Sequence, residues 1–159
     1  MQIEMVPTES LLPNPANVRR HPPRALEALK ASIMRFGWRV PLVANRRTRM
    51  VEAGHLRLDA ARELGEAEVP VVWCDDDEVT ATSFAIAENR LPELSEWASS
   101  DLLATLDALR AEDALDDAVG WASEELDRLR AEVGVVSDED WRKPSGLSLT
   151  DRFLVPPFS

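Results

Sequence analysis

Residues 51–74 hold a helix-like stretch between two glycines, with a short apolar run on each side: VEAGHLRLDAARELG leads into EAEVPVVWC. Between Gly54 and Gly65 the apolar residues recur at intervals of three and four, the period of an amphipathic helix, and a glycine suits the end of such a helix. The run at 68–74 is rich in valine and too short for a helix, so it predicts a strand. Strand, helix and strand within so short a span favour a fold that mixes sheet and helices.

The chain upstream of this unit predicts a helix and a hairpin. Residues 11–23 contain four prolines and two asparagines, which indicates an extended, turn-rich entry. Two consecutive prolines then suit the first positions of a helix that continues over 24–36, where large apolar residues repeat along one side. The runs at 40–45 and 49–53 predict two strands of a hairpin, whose polar turn carries two arginines into solvent.

Downstream, an acidic cluster at 75–78 precedes a third predicted helix at 80–91. Carboxylates suit a helix N-terminus, so a cap is the favoured interpretation of this cluster. A magnesium site is the alternative, because carboxylates also bind that ion. Two further helical patterns cover 99–111 and 123–133.

These elements predict an α+β fold in three parts. Residues 1–97 form a small domain with a mixed sheet and packed helices, and residues 98–136 form an acidic helical extension. Residues 137–159 have no period, and we interpret them as an irregular tail or as the start of a truncated further domain.

The formal charge of −11 is unevenly distributed. Residues 1–70 carry 11 Lys/Arg against 8 Asp/Glu, whereas residues 71–159 carry 7 against 21. Within 18–49, nine basic residues face one acid, a surplus that either attracts phosphates or forms a solvated face. If DNA binds, we expect it at four arginines of this region: Arg35, Arg39, Arg46 and Arg47. The acidic helices would repel DNA, and we expect them to bind a protein partner or a second copy.

Composition also limits the location and the metal chemistry. No apolar run approaches the roughly 20 residues that span a bilayer, and the N-terminus lacks a signal-peptide pattern, so we expect a cytoplasmic protein without a membrane partner. Cys74 is the only cysteine, which excludes a multi-cysteine zinc site.

Gly54 has a second interpretation besides a helix boundary. A glycine between a strand and a helix lets an anion approach the backbone, and the free amides of the first helical turn point at it. Arg57 would lie where a guanidinium can bind phosphate oxygens. A plain turn with a solvated arginine is the alternative.

The larger pattern LLPNPANVRRH, FGWRVPLVAN, VEAGHLRLDAARELG, VPVVWCDD and AIAENRLPELSEW resembles the ParB/sulfiredoxin superfamily, in the version found with phage DNA-modification proteins. The resemblance covers about residues 8–97. It implies that Gly54, His55 and Arg57 form the G-x-x-R segment that binds nucleotide phosphates. His55 stands where sulfiredoxins have a catalytic cysteine, and Cys74 does not match that position, so reductase chemistry is excluded.

Two further motifs belong to the resemblance. NPANVR, which ends at Arg19, matches the N-terminal N-P-x-x-x-R-like element of the superfamily. Glu88-Asn89-Arg90 matches the start of an E-N motif linked in ParB proteins to magnesium and nucleotide hydrolysis. That motif continues there to a glutamine and an arginine, whereas residues 91–93 here are Leu-Pro-Glu.

The resemblance therefore implies a module that binds nucleotide or nucleic-acid phosphates in DNA modification, processing or partition, with CTP or ATP and magnesium as cofactors. A metal-dependent nuclease, nucleoside triphosphatase or phosphotransferase is one alternative, with Glu88 and His55 as catalytic residues and Asn89 at the metal. A regulatory or specificity domain of a DNA methyltransferase is another. The implied phosphate ligands are Gly54, His55, Arg57, Arg19 and Arg90.

Overall fold

The computed structural model describes residues 2–134, which divide into two units between Ser95 and Glu96. The first unit contains a four-stranded sheet and three helices, and the second contains two helices. The predicted α+β fold with a mixed sheet is confirmed. The tail predicted at 137–159 lies outside the described residues. Among the helices of residues 2–134, none has both the length and the apolar composition to cross a membrane.

The sheet consists of β1 (Ile3–Pro7), β2 (Leu42–Asn45), β3 (Val51–Ala53) and β4 (Glu68–Cys74), in the order β1-β4-β2-β3. Strand β4 pairs antiparallel with β1 and parallel with β2, while β2 and β3 form the predicted antiparallel hairpin. Strand β4 has neighbours on both sides, and its residues 69–71 are buried, which agrees with the valines in this part of the strand.

Strand β1 has no counterpart in the sequence predictions. Its register runs from Ile3 opposite Val72 to Pro7 opposite Glu68. Of its side chains only Val6 is buried, and Ile3 is more than half exposed. An edge strand held by backbone hydrogen bonds needs no apolar alternation, so the pattern that reveals other strands is missing here.

Helices α1 (Pro23–Phe36), α2 (His55–Leu64) and α3 (Glu78–Arg90) complete the first unit. Helix α1 packs against α2, and α3 packs against β3. The N-cap predicted in the acidic cluster is confirmed, because the Asp77 carboxylate accepts a hydrogen bond from the Thr80 amide at 2.7 Å.

The core of the first unit lies between the sheet and α2. Its members come from all four strands, from the segment after β1 and from α2: Val6, Leu11, Leu42, Ala44, Val51, Leu58, Ala61, Val69 and Val71. Each fully buried leucine or valine contributes about 1.5–3 kcal/mol relative to exposure. This core fixes the β3-to-α2 connection on which the site is built.

The proline-rich segment is tied to the sheet beyond β1. Leu12 forms an isolated parallel bridge with Met50: its amide donates to the Arg49 carbonyl and its carbonyl accepts from the Val51 amide, both at 2.9 Å. Residues 13–19 therefore begin beside β3, next to the start of α2.

The second unit pairs α4 (Ser99–Ala111) with α5 (Ser123–Val133), with the bounds that the sequence predicts. Leu103 and Leu106 of α4 pack with Leu126 and Leu129 of α5. This unit has its own apolar core under an acidic surface.

Candidate functional site

Gly54 joins β3 to α2 in a left-handed conformation, with φ of 94° and ψ of 30°. An L-residue is strained there, whereas glycine is not. A Cβ at this position would also lie 3.5 Å from Cγ of Leu42 and 3.1 Å from Nη1 of Arg57. The sign of φ thus favours glycine, and a Cβ here would displace the end of the Arg57 side chain.

The first turn of α2 offers unpaired backbone donors. The first hydrogen bond of the helix runs from the Leu58 amide to the Gly54 carbonyl at 3.0 Å, and no side chain caps the helix. The amides of residues 55–57 are the donors that a helix start leaves without an internal acceptor. The Arg57 guanidinium folds back over Gly54, and within residues 2–134 it has no carboxylate partner. Amides and guanidinium together form an anion-binding arrangement.

His55 links the start of α2 to the N-terminal segment. Its Nε2 accepts a hydrogen bond from the Asn14 amide at 3.2 Å, which requires that nitrogen to be unprotonated. Burial lowers the pKa of His55 below the ordinary value of 6.5, against the opposing influence of Asp59 and Glu88. His55 is therefore neutral at neutral pH and holds Asn14 in place.

A cleft of about 260 Å³ opens at this helix start. Six predicted site residues line it: Arg19, Gly54, His55, Arg57, Glu88 and Asn89. An adjoining cleft of about 260 Å³ shares Arg19, His55 and Asn89 and adds Arg90. The predicted phosphate, catalytic and metal residues thus come from three separate segments to one place, and their roles stay predictions.

Helix α3 contributes Glu88 and Asn89 through its last turn. The Asn89 side-chain amide donates to the Ala85 carbonyl at 2.8 Å, which fixes the rotamer and leaves the side-chain carbonyl oxygen as an acceptor. Glu88 is half-buried and lies close enough to His55 to influence its pKa. One carboxylate and one amide oxygen beside a phosphate site fit the needs of Mg²⁺, which takes few protein ligands and completes its shell with phosphate oxygens and water.

Glu93 is a site residue that the sequence predictions missed. It forms ion pairs with Arg19 and with Arg90, the latter at 3.1 Å. The two guanidinium groups, Arg19 first, lower the pKa of the Glu93 carboxyl. The spacing of three residues between Arg90 and Glu93 could have predicted their ion pair from the sequence. The pair between Arg19 and Glu93 could not be predicted, because the two residues are 74 positions apart and only the fold brings them together.

Cys74 lies at the end of β4 and does not line either cleft. Burial, followed by the neighbouring Glu52 carboxylate, raises the pKa of the Cys74 thiol to about 12. A thiol that stays protonated is a poor nucleophile.

The four arginines predicted to bind DNA do not line the two clefts, and their described contacts fall into two groups. Arg35 stacks on the Phe36 ring and Arg39 donates to the Phe36 carbonyl at 2.8 Å, at the end of α1. Arg46 pairs with Glu4 at 3.6 Å, and Arg47 donates to the Asp76 carbonyl at 3.3 Å, both from the hairpin turn. Any shared role in binding DNA stays a prediction.

Comparison with known proteins gives one family and a fold. Residues 1–90 match the family model of the ParB N-terminal domain. No curated protein sequence matches the chain.

Among solved structures, the chain is similar to the C-terminally truncated chromosome-partitioning protein ParB from Caulobacter crescentus, complexed with CTP-gamma-S. The TM-score is 0.70 and the sequence identity is 20%, and the match covers 87% of this chain and 82% of that one. The same protein complexed to the centromeric parS site has a TM-score of 0.48 at 19% identity, over 87% and 75%. Sulfiredoxin from Arabidopsis thaliana has a TM-score of 0.46 at 19% identity, over 53% and 97%.

Proposed function

Because the chain belongs to the family of ParB N-terminal domains, we propose that its first unit binds a nucleoside triphosphate through the phosphates. The observation that carries the proposal is the uncapped start of α2 beside the Arg57 guanidinium, which has no carboxylate partner among residues 2–134. The amides of residues 55–57 bind phosphate oxygens there, and Arg57 adds a two-pronged, charge-assisted contact.

CTP is the first nucleotide to consider, because the similar Caulobacter crescentus ParB structure holds CTP-gamma-S. ATP is the second. Arg19 and Arg90 line the adjoining cleft, where they reach further phosphate oxygens once they leave Glu93. Mg²⁺ would be held by the side-chain oxygen of Asn89 and by the phosphates, and it would supply charge neutralisation.

Calorimetry with CTP and ATP, each with Mg²⁺, tests the proposal on the full chain. We expect Arg57→Ala to weaken binding about 10- to 100-fold, the range for a lost hydrogen bond to a charged group. Arg57→Lys keeps the charge but loses the two-pronged geometry, so its affinity should lie between those of the wild-type chain and Arg57→Ala. Arg128→Ala, an exposed arginine of α5, is the matched control. Equal affinity in Arg57→Ala and Arg128→Ala would overturn the proposal.

Nucleotide hydrolysis is a second candidate function, favoured by the place of Glu88 in the same cleft. Glu88 would activate the attacking water while His55, neutral in the fold, positions the N-terminal segment or accepts a proton. We expect Glu88→Gln to abolish phosphate release while binding persists. Undiminished release by that variant would rule out the catalytic role.

DNA is the second proposed partner, and it would bind at Arg35, Arg39, Arg46 and Arg47. The process would be partition, DNA processing or DNA modification, and in DNA modification the chain would act as a regulatory or specificity domain of a methyltransferase. Charge reversal at Arg46 and Arg47 should weaken DNA binding and flatten its salt dependence, because fewer phosphates are neutralised. An unchanged salt slope would show that the hairpin turn makes no phosphate contact.

A further inference from the structure

Three metal-ligand side chains meet at the end of the sheet, outside the two clefts. Glu52 lies in β3, Cys74 ends β4, and Asp76 follows two residues later. One ligand atom of each, the Cys74 sulfur and a carboxylate oxygen of the other two, lies within 4.8 Å of the others. In a tetrahedral zinc site a sulfur and a carboxylate oxygen lie roughly 3.6 Å apart, so the three side chains would close on the ion by about 1 Å.

Glu52 supplies a second observation at this cluster, a buried carboxylate oxygen that a cation would contact. The residue is 2% exposed. Its Oε1 accepts from the Asn45 side-chain amide at 3.1 Å, but its Oε2 is buried and has no hydrogen-bond partner in the described chain. The Cys74 thiol, which lies beside Glu52, donates to the Ala44 carbonyl at 3.3 Å. An unpaired buried carboxylate oxygen is costly, and a bound cation removes that cost.

Asn45 holds the cluster in place. It is buried, and its side-chain amide donates both to Glu52 and to the Asp76 carbonyl, at 3.1 and 3.0 Å. Its side-chain oxygen accepts from the amides of Arg47 and Thr48. Outer-shell contacts of this kind orient metal ligands and are part of a working site.

A cavity of about 540 Å³ reaches Glu52 and Asp76 of the cluster, and its charged lining residues are Glu52, Asp76, Asp77, Glu78 and Arg47. Four carboxylates against one guanidinium make the cavity attractive to cations. Cys74 makes the ligand set partly soft, which disfavours Mg²⁺ and favours zinc or a similar thiophilic dication.

We propose that Glu52, Cys74 and Asp76 bind a thiophilic divalent cation, zinc by chemical class, through the Cys74 sulfur and two carboxylate oxygens, with water in the fourth position. Binding displaces the thiol proton to solvent and forms the sulfur–metal bond, so no redox step occurs. The site is separate from the phosphate cleft and does not depend on nucleotide binding.

Titration of the full chain with Co²⁺, in a non-thiol reductant, tests the proposal directly. We expect a thiolate-to-cobalt charge-transfer band that Zn²⁺ abolishes by displacement. Cys74→Ser should lose the band, and Glu52→Gln should bind at least about tenfold more weakly, as losses of even outer-shell partners do. Asp75→Ala removes an exposed neighbouring carboxylate and should bind normally.

The change in melting temperature on adding Zn²⁺ is a second measurement, which also reports metal binding by the wild-type chain if a variant folds poorly. Zn²⁺ should raise the melting temperature of the wild-type chain and of Asp75→Ala, but not that of Cys74→Ser. Absence of the charge-transfer band in the wild-type chain would overturn the proposal. So would Co²⁺ binding or a Zn²⁺-induced stabilisation that persists unchanged in Cys74→Ser.

Discussion

Gly54 and Arg57 act as a pair, because the glycine provides the space that the guanidinium occupies. In Gly54→Ala, φ of 94° should cost about 1–2 kcal/mol of stability, and the new methyl group should push Nη1 of Arg57 away. We expect CTP affinity to fall on the order of tenfold, the cost of one hydrogen bond to a charged group. Calorimetry and urea unfolding measure the two effects.

Gly65→Ala is the matched control for that variant. Gly65 also has a positive φ, of 71°, but no atom lies within 4 Å of its would-be Cβ. We expect a similar loss of stability and full nucleotide affinity. If both variants lose affinity equally, the loss reflects strain in general and not the position of Arg57.

Glu93 competes with phosphate for Arg19 and Arg90. Glu93→Gln frees both guanidinium groups, so CTP affinity should rise about two- to fivefold, which is the size of an exposed ion pair. Glu63→Gln removes a carboxylate that pairs with Lys30 instead and serves as the control. Weaker binding in Glu93→Gln would mean that Glu93 supports the nucleotide and does not exclude it.

His55 should make stability depend on pH. Since burial lowers its pKa below 6.5, the folded chain binds a proton less readily than the unfolded chain. The stability that the chain gains from keeping His55 neutral is complete above pH 6.5, and it is lost as the pH falls towards the lowered pKa of His55 in the folded state. Urea unfolding at about pH 8 and about pH 5 should show a steeper loss in the wild-type chain than in His55→Gln. Parallel losses would contradict this assignment.

At the scale of elements, glycines at helix ends and local apolar patterns decide what could be predicted from the sequence. Helix α2 has its predicted glycine ends, and the bounds of β4 match residues 68–74, because local patterns specify both. The hairpin strands are shorter than predicted. Arg49 adopts φ of 62° and belongs to the turn, so β3 begins at Val51.

What the sequence patterns missed depends on contacts between distant segments. Strand β1 is held by backbone pairing with β4, some 65 positions away, with little apolar pattern of its own. The proximity of Glu52 to Cys74 and Asp76 likewise arises only when β3 and β4 meet in one sheet. Residues with a family motif, such as Gly54 and Glu88, could be identified without the fold, whereas Glu93 and Glu52 could not.

Helix α3 should depend on its cap. Asp77→Ala removes the hydrogen bond to the Thr80 amide and should cost about 1 kcal/mol. Asp75→Ala removes a charge from the same cluster but no cap, and should cost less. Urea unfolding of both variants measures the difference. Equal losses would mean that charge, and not the hydrogen bond, stabilises the start of α3.

The whole molecule combines a first unit that carries the clefts with an acidic second unit that has a separate leucine core. Because the phosphate site uses residues of the first unit alone, a chain of residues 1–95 should fold and bind CTP with the affinity of the full chain. Circular dichroism and calorimetry measure folding and affinity. A folded fragment that does not bind would show that the second unit completes the site.

The central claim is that nucleotide phosphates bind at the start of α2. Amide chemical shifts of the ¹⁵N-labelled full chain, titrated with CTP and Mg²⁺, test it most directly. The account predicts the largest changes at Gly54, His55, Leu56 and Arg57, all saturating with one affinity that Arg57→Ala weakens. Saturable binding that leaves these four amides unchanged would contradict it.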